Sequence, residues 1–132
     1  MTPLFSIVIP TFNRVYCLST ALESIIAQTN SDWEIIVVDD GSIDNSRSVI
    51  EQYQNQKIHY FYQENAGPST ARNLALKQVK GKWICYLDSD NELLPNYLHE
   101  MASAISNNPN ALYLLPMGNR TLELYENESN VT

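Results

Sequence analysis

The sequence has few of the residues on which several classes of protein depend. Its 132 residues include two cysteines, and eight lysines and arginines stand against fifteen aspartates and glutamates. Cys17 and Cys85 each lie in an apolar pattern, which favours small buried side chains over a disulfide or a metal pair. The formal net charge of −7 argues against a nucleic-acid partner, because such a surface usually needs a basic stripe.

Two further absences concern membranes and phosphate-binding motifs. No apolar run approaches membrane-spanning length, and the segment 1–4 carries no basic residue, so no secretory signal is visible. We therefore expect a cytoplasmic protein. The four glycines form no Gly-rich phosphate loop of the Walker or dinucleotide type. A bound phosphate would then be held by a metal ion, a helix N-terminus or a single arginine.

The chain instead alternates apolar strands with amphipathic helices. Helical periods follow each of the first four strands. The predicted strands are residues 4–10, 33–38, 58–62, 83–87 and 111–115. This βαβαβαβαβ order predicts an α/β fold with a mostly parallel central sheet and helices on both faces. We expect one domain over residues 1–117, followed by an acidic tail or edge strand over residues 118–132.

Polar residues collect where these strands end. The carboxyl ends of parallel strands share one rim, and open α/β sheets bind ligands there. Asp88 and Asp90 would point the same way while the chain stays extended, and their hard oxygen atoms suit Mg²⁺ or Mn²⁺. A simple polar turn is the alternative interpretation. The other residues predicted on this rim are Thr11, Phe12, Asn13, Asp39, Asp40, Ser42, Asn65, Gly67 and Ser89.

Several of these residues have more than one interpretation. Phe12 lies in a loop and either stacks on a base or covers the end of the sheet. The pair Asp39 and Asp40 accepts hydrogen bonds from a base or ribose, or caps the following helix. Gly67 permits a ligand to approach a helix N-terminus. Arg72, one turn further on, reaches a phosphate, braces the aspartate loops or is solvated.

The acidic pair after the second strand also resembles that of a receiver domain. Receiver chemistry needs an aspartate at the end of the third strand and a lysine at the end of the fifth. Here these strands end in Phe61-Tyr62-Gln63 and Leu115-Pro116-Met117, so the receiver interpretation fails on both counts.

Four motifs, in this order, resemble those of family 2 glycosyltransferases. They are SIVIPTFNR (6–14), VVDDGS (37–42), NAGPSTARN (65–73) and LDSD (87–90), and the resemblance covers residues 4–115. It implies a Rossmann-like GT-A domain that binds a nucleotide-diphospho-sugar, commonly UDP-linked. The implied reaction is transfer of the sugar to a hydroxyl of a saccharide or lipid-linked acceptor, with inversion. The implied setting is polysaccharide or glycoconjugate synthesis at the cytoplasmic side of a membrane.

The resemblance also assigns roles to residues by their position in the motifs. Phe12 would lie near the base, Asp40 would contact the base, and Asp88 would touch the ribose or the metal shell. Asp90 would ligate Mn²⁺ or Mg²⁺ bridging the diphosphate. The implied metal ligands are Asp88 and Asp90. The implied nucleotide-sugar-binding residues are Pro10, Thr11, Phe12, Asn13, Asp39, Asp40, Gly67, Arg72, Asp88 and Ser89.

The chain departs from the family pattern in two ways. Asn91 stands where members often carry a further acid. The general base that deprotonates the acceptor usually belongs to a later, acceptor-binding half, so it is expected beyond Thr132. The alternative function is therefore a non-catalytic module that binds a sugar nucleotide or a partner chain. An apolar surface exposed where that half would pack favours a homo-oligomer, and peripheral membrane association is a further expectation.

Overall fold

The computed structural model describes residues 2–117 and 121–126, and the surroundings of side chains as far as Ala111. The elements alternate in type as the sequence predicts. They are β1 (Phe5–Thr11), α1 (Val15–Ile26), β2 (Trp33–Asp39), α2 (Ser46–Gln52), β3 (Ile58–Tyr62), α3 (Pro68–Leu76), β4 (Trp83–Tyr86), α4 (Tyr97–Asn107), β5 (Ala111–Met117) and β6 (Thr121–Glu126).

A four-stranded parallel sheet brings the strand ends together. Its strand order is β3-β2-β1-β4, with β1 and β2 at the centre. Both central strands are nearly continuous apolar runs and are almost wholly buried, as expected for parallel strands covered on both faces. The less apolar β3 lies at one edge. The register pairs Thr11 with Asp39 and Asp39 with Tyr62, so the strands reach the rim together.

The core has one layer on each face of the sheet. On one face, Ile7 and Ile35 pack with apolar residues of α1, α2 and α4. On the other face, Val8 and Ile36 pack with Ala71 of α3 and its neighbours. Alternate residues of each strand therefore serve opposite layers, and the predicted α/β class with helices on both faces is confirmed.

The predicted fifth parallel strand is wrong in its pairing. A strand does begin at Ala111, but β5 pairs antiparallel with β6 in a separate two-stranded sheet. Only residues 118–120 separate the two strands. A parallel pairing needs a crossover of about a dozen residues, whereas a short connection suits a hairpin. Of the predicted tail or edge strand, Thr121–Glu126 forms β6, and residues 118–120 and 127–132 lie outside the described part.

The cysteines and the helices bear on two further expectations. Cys17 and Cys85 are free thiols, and both are partly buried, whereas their apolar sequence surroundings predicted buried side chains. Burial raises the pKa of Cys85 to about 11, against the opposing effect of a hydrogen bond with Tyr97. No helix within the described residues combines the length and the apolar character needed to cross a membrane.

Candidate functional site

A cavity of about 520 Å³ lies at the carboxyl ends of the strands. It is bordered by the loops after β1, β2 and β3, by the start of α3 and by the turn after β4. Most of the predicted site residues meet there, although they come from four separate segments of the chain. The predicted residues that line the cavity are Pro10, Thr11, Phe12, Asp40, Gly67, Arg72, Asp88, Ser89 and Asp90. Within the described part of the chain, Asn13 and Asp39 do not line it.

Asp40 is buried beneath the cavity and holds the loop after β3. One carboxylate oxygen, Oδ1, accepts hydrogen bonds from the Ala66 N–H at 2.8 Å and from the Gln63 amide at 2.7 Å. The other, Oδ2, accepts from the Gly67 N–H at 3.0 Å and from the Asn65 amide at 3.3 Å. Burial by itself raises the pKa of Asp40, but these hydrogen bonds outweigh it and hold the pKa below its usual value. The group is therefore a carboxylate at neutral pH.

Asp39 faces away from the cavity and joins β2 to β3 and to the loop that follows β2. Its Oδ2 accepts a hydrogen bond from the Tyr60 hydroxyl at 2.5 Å, and its Oδ1 accepts from the Ser42 N–H at 2.8 Å. Burial, together with the Asp39 carboxylate, raises the pKa of Tyr60 well above its usual value. The hydroxyl thus stays protonated and keeps donating to Asp39.

The loops after β1 and β2 are tied to each other. The Asn13 N–H donates to Ser42 Oγ at 2.8 Å, and the Val15 N–H donates to Asp44 Oδ2 at 3.1 Å. Asn13 has a φ of 51°, in the left-handed region that asparagine tolerates better than most residues. This turn leaves the Phe12 side chain on the cavity side, 46% exposed.

Thr11 carries a buried hydroxyl with no partner. The residue is 3% exposed and lines the cavity, and its Oγ1 has no hydrogen-bond partner among the described residues. Buried hydroxyl groups are normally paired, because leaving one unpaired costs about 1–3 kcal/mol. The oxygen atom itself is buried, and the register pairs Thr11 with Asp39, whose side chain faces away from the cavity, so this hydroxyl is not exposed to a ligand in the cavity.

The two carboxylates after β4 face the cavity and not the core. Leu87 and Ser89 are buried, whereas Asp88 and Asp90 are exposed, so the alternation of the strand continues through this segment. The Asn91 N–H donates to the Asp88 carbonyl oxygen at 3.0 Å and closes the turn.

Arg14 is a cavity residue that the sequence analysis did not single out. Its Nη1 donates to Asp90 Oδ2 at 3.2 Å, with 43% of the arginine side chain and 51% of the aspartate side chain exposed. Its position in the loop after β1, next to the predicted site residue Asn13, could have indicated that it lies at the cavity.

The carboxylates fit one kind of metal site. No three His, Cys, Asp or Glu side chains form a metal-binding group in the region that the structure describes. Asp88 and Asp90 nevertheless line the same cavity with exposed oxygen atoms. Mg²⁺ is commonly held by one or two carboxylates and completes its coordination with water and substrate phosphates. The pair therefore suits a cation that arrives with a diphosphate.

The N-terminus of α3 forms the opposite wall of the cavity. Gly67 precedes the helix with a φ of 97°, and a Cβ built there would meet no atom within 4 Å. Pro68 occupies the first turn, and Arg72 lines the cavity with its guanidinium carbon 6.0 Å from the ring centroid of Tyr86. A helix N-terminus and a nearby arginine both favour an anion.

Comparison of the sequence with known proteins identifies the family of this chain. The sequence matches the profile of glycosyl transferase family 2 over residues 6–130. The Campylobacter jejuni GalNAc(5)-diNAcBac-PP-undecaprenol beta-1,3-glucosyltransferase is 38% identical over 125 residues, which are 92% of this chain and 39% of that protein. The Escherichia coli UDP-Glc:alpha-D-GlcNAc-diphosphoundecaprenol beta-1,3-glucosyltransferase WfgD is 35% identical over 112 residues, which are 83% of this chain and 44% of that protein. The chain thus spans less than half the length of these relatives.

Solved structures agree with the sequence relatives. S. aureus TarS 1-349 in complex with UDP-GlcNAc superposes with a TM-score of 0.76 at 28% identity, over 90% of this chain and 36% of that one. The mannosyltransferase PcManGT from Pyrobaculum calidifontis, in complex with GDP-Man and Mn²⁺, gives a TM-score of 0.59 at 23% identity, over 70% of this chain and 29% of that one. At that identity the second likeness bears on the fold alone. The family match and the TarS structure together show that the chain belongs to glycosyl transferase family 2 and has its GT-A fold, as its four motifs indicated.

Proposed function

We propose that this domain binds a UDP-sugar together with Mn²⁺ or Mg²⁺ in the cavity at the carboxyl ends of the strands. The observation that carries the proposal is one cavity whose walls bring together the half-exposed ring of Phe12, the exposed carboxylates Asp88 and Asp90, and the N-terminus of α3. One wall thus offers an aromatic ring to the nucleoside, and the others offer charges suited to a metal–diphosphate.

The nucleoside would lie against the loop after β1. Phe12 presents a half-exposed ring to the cavity, in a place suited to stacking on a planar base. Asp40 would accept a hydrogen bond from the base in place of the one from the Asn65 amide, its longest at 3.3 Å, while the bonds from the backbone keep the loop after β3 in place. Pro10 and Thr11 would complete this wall. Asn13 and Asp39 would act indirectly, because their hydrogen bonds position the loops that carry the contacts.

The diphosphate would lie between the turn after β4 and the start of α3. Asp88 and Asp90 would hold the cation, with Ser89 between them, and the cation would offset the charge that builds on the leaving diphosphate. Gly67 leaves open space for a phosphate to approach the helix N-terminus, and Arg72 adds a cationic group on the same wall.

In the whole protein we propose transfer of the sugar to an acceptor hydroxyl with inversion at the anomeric carbon. The acceptor would be a saccharide carried on a lipid, because the names of two relatives specify undecaprenol-linked acceptors. Work on such an acceptor would take place at a membrane surface. The general base would belong to the acceptor-binding part, since the carboxylates of this cavity already have roles in loop positioning and metal binding.

Calorimetric titration of UDP, with and without Mn²⁺, tests the proposal. The wild type is compared with Asp90→Ala and with Glu92→Ala, a control of the same charge change that lines a separate groove beside α1. We expect Mn²⁺-dependent binding by the wild type and by Glu92→Ala, and loss of the Mn²⁺ dependence in Asp90→Ala. Equal Mn²⁺ dependence in all three proteins would rule out the metal role of Asp90. Failure of UDP, GDP and dTDP to bind the wild type would reject the nucleotide site.

A further inference from the structure

Arg14 already neutralises the carboxylate to which the proposed function assigns a cation. Its Nη1 lies 3.2 Å from Oδ2 of Asp90, and both residues line the cavity. A guanidinium group therefore holds an oxygen atom that a divalent metal would also need. Both side chains are about half exposed, and an exposed ion pair contributes little to stability. The contact can break without disturbing the fold.

The backbone of Arg14 is fixed although its side chain is free to move. Its carbonyl oxygen accepts the first hydrogen bond of α1, from the Leu18 N–H at 3.0 Å. The residues on either side, Asn13 and Val15, donate their N–H groups to the loop after β2. The side chain of Arg14 therefore extends into the cavity from a backbone that hydrogen bonds hold in place. Its planar set of donors matches a phosphate as well as it matches a carboxylate.

We propose that Arg14 exchanges partners when the donor substrate binds. In the nucleotide-free protein it pairs with Asp90 and competes there with the metal ion. When the metal–nucleotide complex arrives, the cation takes Asp90 and the guanidinium turns to the diphosphate. This inference rests on the proposed function, because the diphosphate supplies the second partner. Arg14 would therefore weaken the binding of the metal ion alone and strengthen the binding of the metal ion together with the nucleotide.

The exchange predicts opposite effects of one substitution in two binding measurements. Mn²⁺ binding without nucleotide is measured by water-proton relaxation, which detects weak sites, and UDP binding at saturating Mn²⁺ is measured by calorimetry. We expect Arg14→Gln to bind Mn²⁺ about two- to fivefold more tightly than the wild type, because the exposed guanidinium no longer competes with the metal ion for Asp90. We expect it to bind UDP about tenfold more weakly, because a charge-assisted contact to phosphate is lost.

Arg47→Gln is the matched control for the loss of one positive charge. Arg47 lies over the rings of Tyr60 and Tyr62, with centroid distances of 5.3 and 5.6 Å, and does not line the described cavity. We expect this variant to change each affinity less than twofold. Effects of Arg14→Gln no larger than those of Arg47→Gln would overturn the exchange. A parallel loss of both affinities in Arg14→Gln would also overturn it, since that is the result expected of a structural role.

The wild-type titration separates this inference from the proposed function. If the wild type binds UDP with Mn²⁺ and Arg14→Gln behaves like Arg47→Gln, the nucleotide site stands and the exchange is wrong. If the wild type binds no nucleotide, the proposed function and the exchange both fail. If Arg14→Gln binds Mn²⁺ more tightly and UDP more weakly, and Arg47→Gln does neither, the result supports the proposed function and the exchange together.

Discussion

The replacement of Asp40 by asparagine tests how the rim of the sheet is held together. The substitution keeps the size of the side chain but turns one acceptor oxygen into an NH₂ donor. If the NH₂ takes the place of Oδ2, it faces the Gly67 N–H, which then has no acceptor; if it takes the place of Oδ1, it faces the Ala66 N–H. In either orientation one backbone donor loses its acceptor, one side-chain amide must turn away, and the two remaining bonds lose the help of a charge.

The size of the effect follows from those contacts. Losing one hydrogen bond to a charged acceptor costs about 1.5–3 kcal/mol, and turning two charge-assisted bonds into neutral ones costs about 1 kcal/mol each. A neutral amide is cheaper to bury than a carboxylate, which offsets roughly 1–2 kcal/mol. We therefore expect Asp40→Asn to lower the free energy of unfolding by about 1.5–4 kcal/mol at neutral pH. Asp32→Asn, at an exposed position, is the control for the lost charge.

The pH dependence gives the same prediction a second test. Because the pKa of Asp40 is lowered on folding, its carboxylate contributes fully above the unfolded value of about 3.9. That contribution is lost as the pH falls through the lower folded value. A protonated Asp40 has one donor and one good acceptor, as asparagine does, so the difference between wild type and Asp40→Asn should shrink at acidic pH.

Urea unfolding followed by circular dichroism measures both quantities. The free energies of wild type, Asp40→Asn and Asp32→Asn are compared at neutral pH and at steps down to about pH 3, below the ordinary pKa of aspartate. A loss below about 1 kcal/mol at neutral pH would refute the account of the hydrogen bonds, each of which should be worth more. A loss that stays the same at every pH would refute the account of the charge.

Two further substitutions test polar groups of the rim. Thr11→Val removes a buried hydroxyl that has no partner among the described residues, so it should leave stability unchanged or raise it by about 1 kcal/mol; a loss above about 1 kcal/mol in urea unfolding would show that the hydroxyl has a partner. Asp44→Ala removes the acceptor of the Val15 N–H and of the Ser46 N–H, so urea unfolding should show a loss of about 1–2 kcal/mol. A loss under about 0.5 kcal/mol would mean that these contacts do not secure the two loops.

The sequence predicts the sheet well because its strands are bounded by clear signals. The central strands are apolar runs that end near Pro10 and at Asp39, and the predicted ends differ from the observed ones by a residue. The pairing of β5 could not be read in the same way. Its sequence is that of a strand in either sheet, and the α4 crossover before it would also permit parallel pairing with the main sheet; the short connection to β6 favours the hairpin. The tail beyond that connection has too weak a pattern to predict this partner.

Which acid faces the cavity depends on hydrogen-bond partners that sequence alone does not place. Asp39 and Asp40 are adjacent and identical, so the motif marks both. In the structure Asp39 accepts a hydrogen bond from the Tyr60 hydroxyl, whereas Asp40 accepts hydrogen bonds from the backbone after β3. Arg14 was missed for a similar reason. Its approach to Asp90 depends on a left-handed turn at Asn13, and no spacing in the sequence marks that turn.

The aspartates of the rim divide into two groups that explain how an acidic protein can present a site for an anion. The first group is buried or half-buried and consists of Asp39, Asp40 and Asp44. Their carboxylates accept hydrogen bonds from donors within the protein and so hold the loops in place. Asp88 and Asp90 are exposed, and among the described residues Arg14 offsets the charge of Asp90. A cation can reach the first group only by displacing those donors. The second can be neutralised by a cation, so we expect a diphosphate to bind more tightly when a metal ion accompanies it.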